Sequence, residues 1–132
     1  MKITADTNLL VRGAVLDDLR QVQLAAKELR DADLVAIPVS ALCEFVWVLR
    51  RGYRRSHSEI AQSLRSLVDS ANVVMDRGAV EAGLATLEAG GDFADGAVAH
   101  EGMWLGAEEF VSFDKDAVDL LTSQGLRARL LS

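Results

Sequence analysis

The stretch Met1-Lys2-Ile3-Thr4-Ala5-Asp6-Thr7-Asn8 decides how the rest of the chain is interpreted. Residues 2–5 have the pattern of a short strand, and a helical pattern follows at once from Leu9. Asp6 therefore lies at the carboxyl end of a strand, which is the edge of an open α/β sheet where ligands bind. The same aspartate is also a good N-cap for the helix. Both interpretations stay open until the other acids are placed.

The length and composition of the chain predict one folded domain. It has 132 residues, half of them hydrophobic, and a single proline, which is enough for a sizeable core. There is neither an apolar run near the ~18 residues of a membrane helix nor a basic-then-apolar leader, so we expect a cytoplasmic protein without membrane contact. The lone Cys43 excludes an internal disulfide and a cysteine-built metal site. The formal net charge of −6 argues at first sight against a nucleic-acid partner.

Apolar runs of strand length alternate with longer helical patterns. The predicted strands are 2–5, 34–37, 72–75, 110–113 and, at an edge, 126–131. The first predicted helix starts near residue 9, and the others cover 17–30, 41–51, 58–68, 76–89, 92–103 and 114–123. On the second helix, Leu19, Val22, Ala26 and Leu29 are predicted to form one apolar face. The alternation predicts βαβ units, a parallel sheet and the α/β class.

Glu44 is the acid with the least obvious structural role. It lies in the most apolar predicted helix, one position past a capping-box acid if Ser40 is the N-cap. No lysine or arginine lies three or four residues away, and a buried charge costs several kcal/mol unless it is paired. A long-range ion pair or an exposed turn of helix would each account for it. The position of this helix directly after a strand favours a site.

Three more acids stand where helices begin. Asp92 and Asp95 are three residues apart and share a helical face, either to complement the helix dipole or to build a site. Gly96 costs ~1 kcal/mol relative to alanine in a helix, so it could serve the close approach of another group. Asp114 follows the fourth predicted strand as Asp6 follows the first.

Such a set of carboxylates needs a counter-charge. Four or five ionised carboxylates around one pocket would repel one another strongly. Mg²⁺ and Mn²⁺ prefer oxygen ligands, whereas a site without cysteine or histidine ligands does not favour zinc. The sequence therefore predicts a hard divalent cation if the acids converge.

In order and spacing, these residues resemble PIN domains, and more closely the VapC toxins of bacterial VapBC toxin–antitoxin pairs. The resemblance rests on Asp6-Thr7-Asn8 after strand one, Glu44 after strand two, Asp95 within 92–99, and Ser112-Phe113-Asp114 after strand four. It covers nearly the whole chain, which would be a single PIN domain over 1–132. Residues 96–100, Gly-Ala-Val-Ala-His, depart from the larger apolar residues usual in that family.

The resemblance implies a three-layer α/β/α fold around a central parallel sheet of four to five strands. It implies a Mg²⁺- or Mn²⁺-dependent endoribonuclease, in which metal-activated water attack leaves a 5′-phosphate and a 3′-hydroxyl. The implied partners are a cognate VapB-like antitoxin, an RNA substrate such as transfer or ribosomal RNA, and a second copy in a homodimer. The implied catalytic and metal-binding residues are Asp6, Glu44, Asp95 and Asp114, with Asp92 as an auxiliary metal-binding acid and Thr7, Asn8 and Ser112 orienting ligands and waters.

The charge balance changes once these acids are assigned to a site. Setting the five acids aside leaves 14 basic and 15 acidic residues, a net charge of −1. Residues 50–55 carry four arginines in six positions around Tyr53, which suits looped or single-stranded RNA but is equally typical of a solvated helix end. The predicted RNA-binding residues are Arg12, Arg50, Arg51, Tyr53, Arg54 and Arg55.

Two other functions are compatible with an α/β fold. A receiver-like Mg²⁺-binding signalling domain could use Asp76 as its phosphoacceptor, but only one acid follows strand one, and Glu44 and Asp95 would have no role. A PIN-like fold could also serve for binding alone, which the intact acids argue against. The large aromatic residues Phe45, Trp47 and Trp104 are predicted to be core.

Overall fold

Short parallel strands and α-helices alternate along the chain in a computed structural model, which describes residues 1–132. The strands are Lys2–Thr4 (β1), Leu34–Ala36 (β2), Val73–Val74 (β3), Phe110–Ser112 (β4) and Ala128–Leu130 (β5). The helices are Thr7–Ala14 (α1), Leu19–Asp31 (α2), Val39–Trp47 (α3), His57–Val68 (α4), Arg77–Glu88 (α5), Phe93–Trp104 (α6) and Lys115–Ser123 (α7). The predicted α/β class is confirmed. The chain divides into two compact units, Met1–Asp76 and Arg77–Ser132.

The first unit contains a three-stranded parallel sheet in the order β1-β2-β3. Ile3 lies opposite Val35, and Val35 lies opposite Val73. The central strand β2 is the most buried, because helices and the two flanking strands cover it, and Val35 is fully buried. Leu42 and Ile60 bring α3 and α4 into the same core.

Helix α2 is present, but its predicted apolar face is wrong by part of a turn. Ala25 is the residue of α2 that is buried, with Val22 and Leu29 half-buried beside it, which is the i, i+3, i+7 spacing of one helical face. Leu19 is 74% exposed and Ala26 is exposed as well. The apolar residues of this helix therefore spread over more of its circumference than the buried face does.

The apolar helix of the first unit continues as a π-helical turn. Helix α3 leads directly into the π-helical turn Val48–Gly52, whose i+5 hydrogen bond runs from the Tyr53 N–H to the Val48 carbonyl at 3.2 Å. The predicted N-cap at Ser40 is wrong. Extended backbone at Pro38 starts the helix, and the Pro38 carbonyl accepts from the N–H groups of Ala41 and Leu42 at 3.1 and 3.2 Å.

The second unit contains a two-stranded parallel sheet, β4-β5, in which Val111 lies opposite Arg129. Helix α7 packs on both strands, and helices α5 and α6 pack on each other more extensively than any other pair of elements. The structure shows these two small sheets, one in each unit, rather than one sheet of four or five strands. None of the helices is both long and apolar enough to span a membrane.

Candidate metal centre

Asp6 and Glu44 follow neighbouring parallel strands of the first unit. Asp6 comes after β1 and caps α1, where its Oδ1 accepts the Leu9 N–H at 2.9 Å. Glu44 lies on α3, the helix that follows β2, and its Oε2 accepts the Thr7 hydroxyl at 2.8 Å. This bond joins the first residue of α1 to the middle of α3, and it fixes the Glu44 carboxylate relative to α1.

Of the explanations left open for Glu44, the structure shows the exposed turn of helix, so Glu44 is not a buried charge. Glu44 is exposed, and so are Ser40 and Trp47 on the same helical face. The apolar character of α3 comes from its opposite face, where Leu42 and Phe45 are fully buried. Trp47 was also expected in the core, but its side chain is 64% exposed. Glu44 is thus accessible from solvent.

The acids of the second unit stand at two helix N-termini. Asp92 caps α6, with Oδ1 accepting the Ala94 N–H at 3.2 Å, and Asp114 caps α7, with Oδ1 accepting the Ala117 N–H at 3.1 Å. The capping interpretation is right for both residues. Each cap uses one carboxylate oxygen, so capping leaves Oδ2 for another partner.

Asp95 lies in the first turn of α6, and its electrostatic surroundings are unusual. Partial burial raises the pKa of the Asp95 carboxyl above its ordinary value, and the negative charges of Asp92 and Asp114 raise it further. No cationic side chain offsets these effects. The negative charges of Asp92 and Asp114 therefore both act on the Asp95 carboxyl.

Tight packing of α5 on α6 fixes where Asp95 lies. A methyl group at position 96 would lie 2.1 Å from the Thr86 Oγ1 and 2.3 Å from the Ala82 carbonyl oxygen. Thr86 is itself buried and donates its hydroxyl to the Ala82 carbonyl at 2.9 Å. Gly96 therefore serves the approach of a neighbouring helix, and the departure from larger residues at this position is a packing feature. Gly90, with φ of +94°, turns the chain between the two helices.

The small polar residues near the acids differ in what they contact. Ser112 ends β4, and its Oγ accepts the Asp114 N–H at 2.9 Å, which holds the backbone at the start of α7. Asn8 is exposed in the first turn of α1. Thr7 and Ser112 thus each fix an acid or its backbone, as residues that orient ligands do.

The donor chemistry of these residues suits a hard cation, and their spacing limits how it could be held. Within the structure, no three His, Cys, Asp or Glu side chains come close enough together to hold a metal ion directly. Mg²⁺ is commonly held by one or two carboxylates while it keeps several waters. Within the second unit, Asp92 and Asp114 each retain the carboxylate oxygen that an ion held in that way would need.

The predicted RNA-binding residues fall into two groups. Arg12 forms an ion pair with Asp17, and the Tyr53 hydroxyl donates to Asp17 Oδ2 at 2.8 Å. Arg55 faces Glu59 at 3.7 Å, and Arg50 donates to the Arg55 carbonyl at 3.1 Å. The other group, Arg51 and Arg54, is exposed and forms no ion pair. Sequence reasoning missed Asp17, because nothing local marks it as the partner of a tyrosine 36 residues away.

Comparison with known proteins adds no assignment: no protein-family model matches the chain, and no curated protein matches it either. The resemblance to PIN domains therefore rests on the identity and order of the residues themselves.

Proposed function

We propose that this protein is a Mg²⁺- or Mn²⁺-dependent endoribonuclease of the PIN type, with Asp6, Glu44, Asp95 and Asp114 as its metal-binding and catalytic acids. The proposal is supported by the position of Asp95 in the first turn of α6, where Asp92 and Asp114 are near enough for their charges to act on it. Carboxylates placed together without a cation destabilise the ionised state, and a bound divalent ion reverses that penalty.

The residues of the chain have distinct parts in this proposal. When bound, the cation would acidify a water and stabilise negative charge building on the phosphate. Thr7 holds Glu44 in one orientation through its hydroxyl, and Ser112 holds the backbone of Asp114. Asp92 adds negative charge beside Asp95 and strengthens the attraction of the region for a cation.

The proposal extends to the fold and the partners that the resemblance implies. We propose one central parallel sheet of four to five strands within a three-layer α/β/α PIN domain, in the doubly wound order that begins 3-2-1. The observed order β1-β2-β3, read from its far edge, is compatible with that arrangement. The proposed partners are a VapB-like antitoxin, RNA, and a second copy of the chain.

The strand order argues against a receiver-like signalling domain. In the doubly wound order of receivers, 2-1-3-4-5, strand one lies between strands two and three. Here β2 lies between β1 and β3. Asp76, which follows β3, is therefore not in the position that a receiver phosphoacceptor requires.

The test compares two aspartates that have the same structural role. Asp6 caps α1 and Asp18 caps α2, where Asp18 Oδ1 accepts the Gln21 N–H at 3.1 Å. Asn caps helices about as well as Asp, so Asp6→Asn and Asp18→Asn each remove one charge from an N-cap. Purified wild type and both variants are incubated with total RNA, with Mg²⁺ or with a chelator. We expect wild type and Asp18→Asn to cleave only with Mg²⁺, and Asp6→Asn to be slower by about 100-fold or more.

Three outcomes would contradict the proposal. Equal cleavage by wild type and Asp6→Asn would point to a contaminating nuclease. Cleavage that persists in chelator would exclude a dependence on divalent cations. Ends mapped as 5′-phosphate and 3′-hydroxyl would support hydrolysis by water, whereas a cyclic phosphate would rule it out.

A further inference from the structure

An exposed strip on helix α3 joins Glu44 to the arginine-rich turn. Glu44 and Trp47 lie at i and i+3 on one face of α3, Arg51 lies about one turn further on, and all three are exposed. The helix continues without a break from α3 into the π-helical turn that contains Arg51. We call these three residues the α3 strip. An acid, an aromatic ring and a free guanidinium thus follow one another along the surface.

The helical neighbours of Trp47 indicate which kind of partner its exposed ring suits. Three of its four i±3 and i±4 neighbours are exposed charged residues: Glu44, Arg50 and Arg51. A surface that docks an apolar protein segment has apolar residues around its central aromatic side chain and few charges. A ring with arginines on its C-terminal side instead suits a nucleic-acid base, which stacks on an aromatic face while arginine contacts the adjoining phosphate.

The charges of the turn are consistent with an anionic partner. Five arginines lie in the turn or contact it, at positions 12, 50, 51, 54 and 55. Asp17 and Glu59 each form an ion pair with one of them. Arg12 and Arg55 are the paired ones, and Arg50 donates to a backbone carbonyl. Arg51 and Arg54 are left exposed without an acidic partner.

The backbone of this turn is unusual in two respects. The π-helical turn Val48–Gly52 is a rare form that is frequently found at functional sites. Arg54 follows with φ of +53°, in the left-handed region that non-glycine residues rarely adopt. Two hydrogen bonds close the turn. The Arg50 guanidinium donates to the Arg55 carbonyl, and the Arg55 N–H donates to the Leu49 carbonyl at 2.9 Å. The strained conformation is held in place, and it sets the direction of the Arg54 side chain.

We infer that the α3 strip and Arg54 bind single-stranded RNA, with a base stacked on Trp47 and backbone phosphates on Arg51 and Arg54. This inference deepens the proposed ribonuclease function and rests on it for the choice of RNA. From Glu44 to Arg51 the helix rises ~10 Å, so the strip is long enough to contact more than one nucleotide. Tyr53, whose hydroxyl is bound to Asp17, positions the turn and does not stack.

The experiment measures RNA binding without cleavage. The chain has two tryptophans, so Trp104→Phe leaves Trp47 as the single fluorophore. This variant is titrated with a single-stranded 12-nucleotide uridine RNA in EDTA over a range of salt concentrations. Further variants in the same background are Trp47→Ala, Arg51→Ala and Arg54→Asn, which keeps a residue tolerant of the left-handed backbone. Lys27→Ala, on α2, removes an exposed charge outside the turn and is the control.

We expect RNA to quench the fluorescence of Trp47 in a saturable way. Trp47→Ala, followed by anisotropy of labelled RNA, should weaken binding by about 5- to 150-fold, the range for loss of one stacked base. Arg51→Ala and Arg54→Asn should each lower the slope of log K against log salt by about 0.7. Lys27→Ala should leave both quantities unchanged.

Several results would overturn the inference. One is that RNA fails to quench the Trp47 fluorescence. Another is that Arg51→Ala and Arg54→Asn leave the salt slope unchanged. A third is that poly-glutamate binds as tightly as RNA. Self-association that Trp47→Ala abolishes, without quenching by RNA, would assign the strip to a second copy of the chain. The binding data are independent of the nuclease proposal: RNA bound as expected in EDTA but never cut with Mg²⁺ would refute the nuclease alone, and cutting that Trp47→Ala and Arg51→Ala leave unaltered would refute the strip alone.

Discussion

The hydroxyl of Thr7 donates a 2.8 Å hydrogen bond to Oε2 of Glu44, so a residue of α1 orients an acid of α3. Thr7→Val keeps the shape of the side chain but removes this donor. Because residues that orient metal ligands typically contribute 10- to 100-fold to metal affinity or activity, we expect Thr7→Val to weaken Mg²⁺-dependent cleavage by about that factor. The measurement is the initial cleavage rate as a function of Mg²⁺ concentration.

Thr7→Ser provides the matched control, since it retains a hydroxyl in the same place. It should keep most of the activity, and both variants should lose no more than about 1 kcal/mol of stability, because the hydrogen bond is exposed. If Thr7→Val were as active as wild type at every Mg²⁺ concentration, the hydrogen bond would have no part in the chemistry.

Helix α6 carries two glycines that should respond to alanine in opposite directions. At Gly96 an added methyl group would lie 2.1 Å from the Thr86 Oγ1, whereas at Gly102 the nearest atom is the Ala107 Cβ at 3.9 Å. We expect Gly96→Ala to destabilise the protein by about 1–3 kcal/mol through overpacking. Gly102→Ala should stabilise it by up to about 1 kcal/mol through helix propensity. Urea denaturation followed by circular dichroism measures both.

The same pair of variants tests whether α5 holds Asp95 in place. Gly96→Ala should also weaken Mg²⁺ binding, because Asp95 precedes the residue that is displaced, while Gly102→Ala should not. Equal stability of the two variants would show that α6 can move away from Thr86 at little cost.

Most helix and strand positions could be predicted because their signals are local. Aspartates at positions 6, 92 and 114 mark helix starts by the side-chain cap that each one makes. Gly90 and Gly91 mark the break between α5 and α6, because glycine commonly follows the end of a helix. Errors of one or two residues occur where a cap is not made by a side chain, as at Pro38.

The solvent-facing side of α3 could not be predicted, because it depends on which elements cover the helix. Composition alone placed Trp47 in the core and left open whether Glu44 is a paired charge or lies on an exposed turn, and both residues are exposed. The network of Arg12, Asp17 and Tyr53 was invisible for a related reason. Its members lie 5 to 41 residues apart in the sequence, and only the fold brings them together.

Tyr53 should control the ionisation of Asp17. The hydrogen bond from the Tyr53 hydroxyl, and then that from Arg12, hold the pKa of Asp17 below its ordinary value. A lowered pKa in the folded state contributes stability above the unfolded-state pKa, and that stability is lost as the pH falls through the folded-state pKa. Tyr53→Phe should therefore raise the pKa of Asp17 and make the acid-induced loss of stability smaller. Carboxyl chemical shifts in an NMR titration measure the pKa directly.

Arg12→Gln gives the comparison for Tyr53→Phe, because it removes the other partner of Asp17 and leaves the tyrosine in place. Each variant should raise the pKa of Asp17 by part of the total, and the double variant by more than either. A pKa that Tyr53→Phe leaves unmoved would mean that the tyrosine hydroxyl turns to solvent in solution.

Asp95→Asn should stabilise the protein when no divalent cation is present. Burial, and then the charges of Asp92 and Asp114, raise the pKa of Asp95, so the folded state favours the protonated carboxyl. The stability gained from a raised pKa is complete below the unfolded-state pKa and is lost as the pH rises through the folded-state pKa. In chelator, Asp95→Asn should therefore melt at a higher temperature than wild type at pH 7, and the difference should vanish as the pH falls below the ordinary range of an aspartate.

Saturating Mg²⁺ should reverse the order at pH 7, because only the wild type gains stability from binding the ion. Thermal melts across this pH range, with and without Mg²⁺, measure both effects, and a wild type that is the more stable protein in chelator at pH 7 would show that the three carboxylates need no cation.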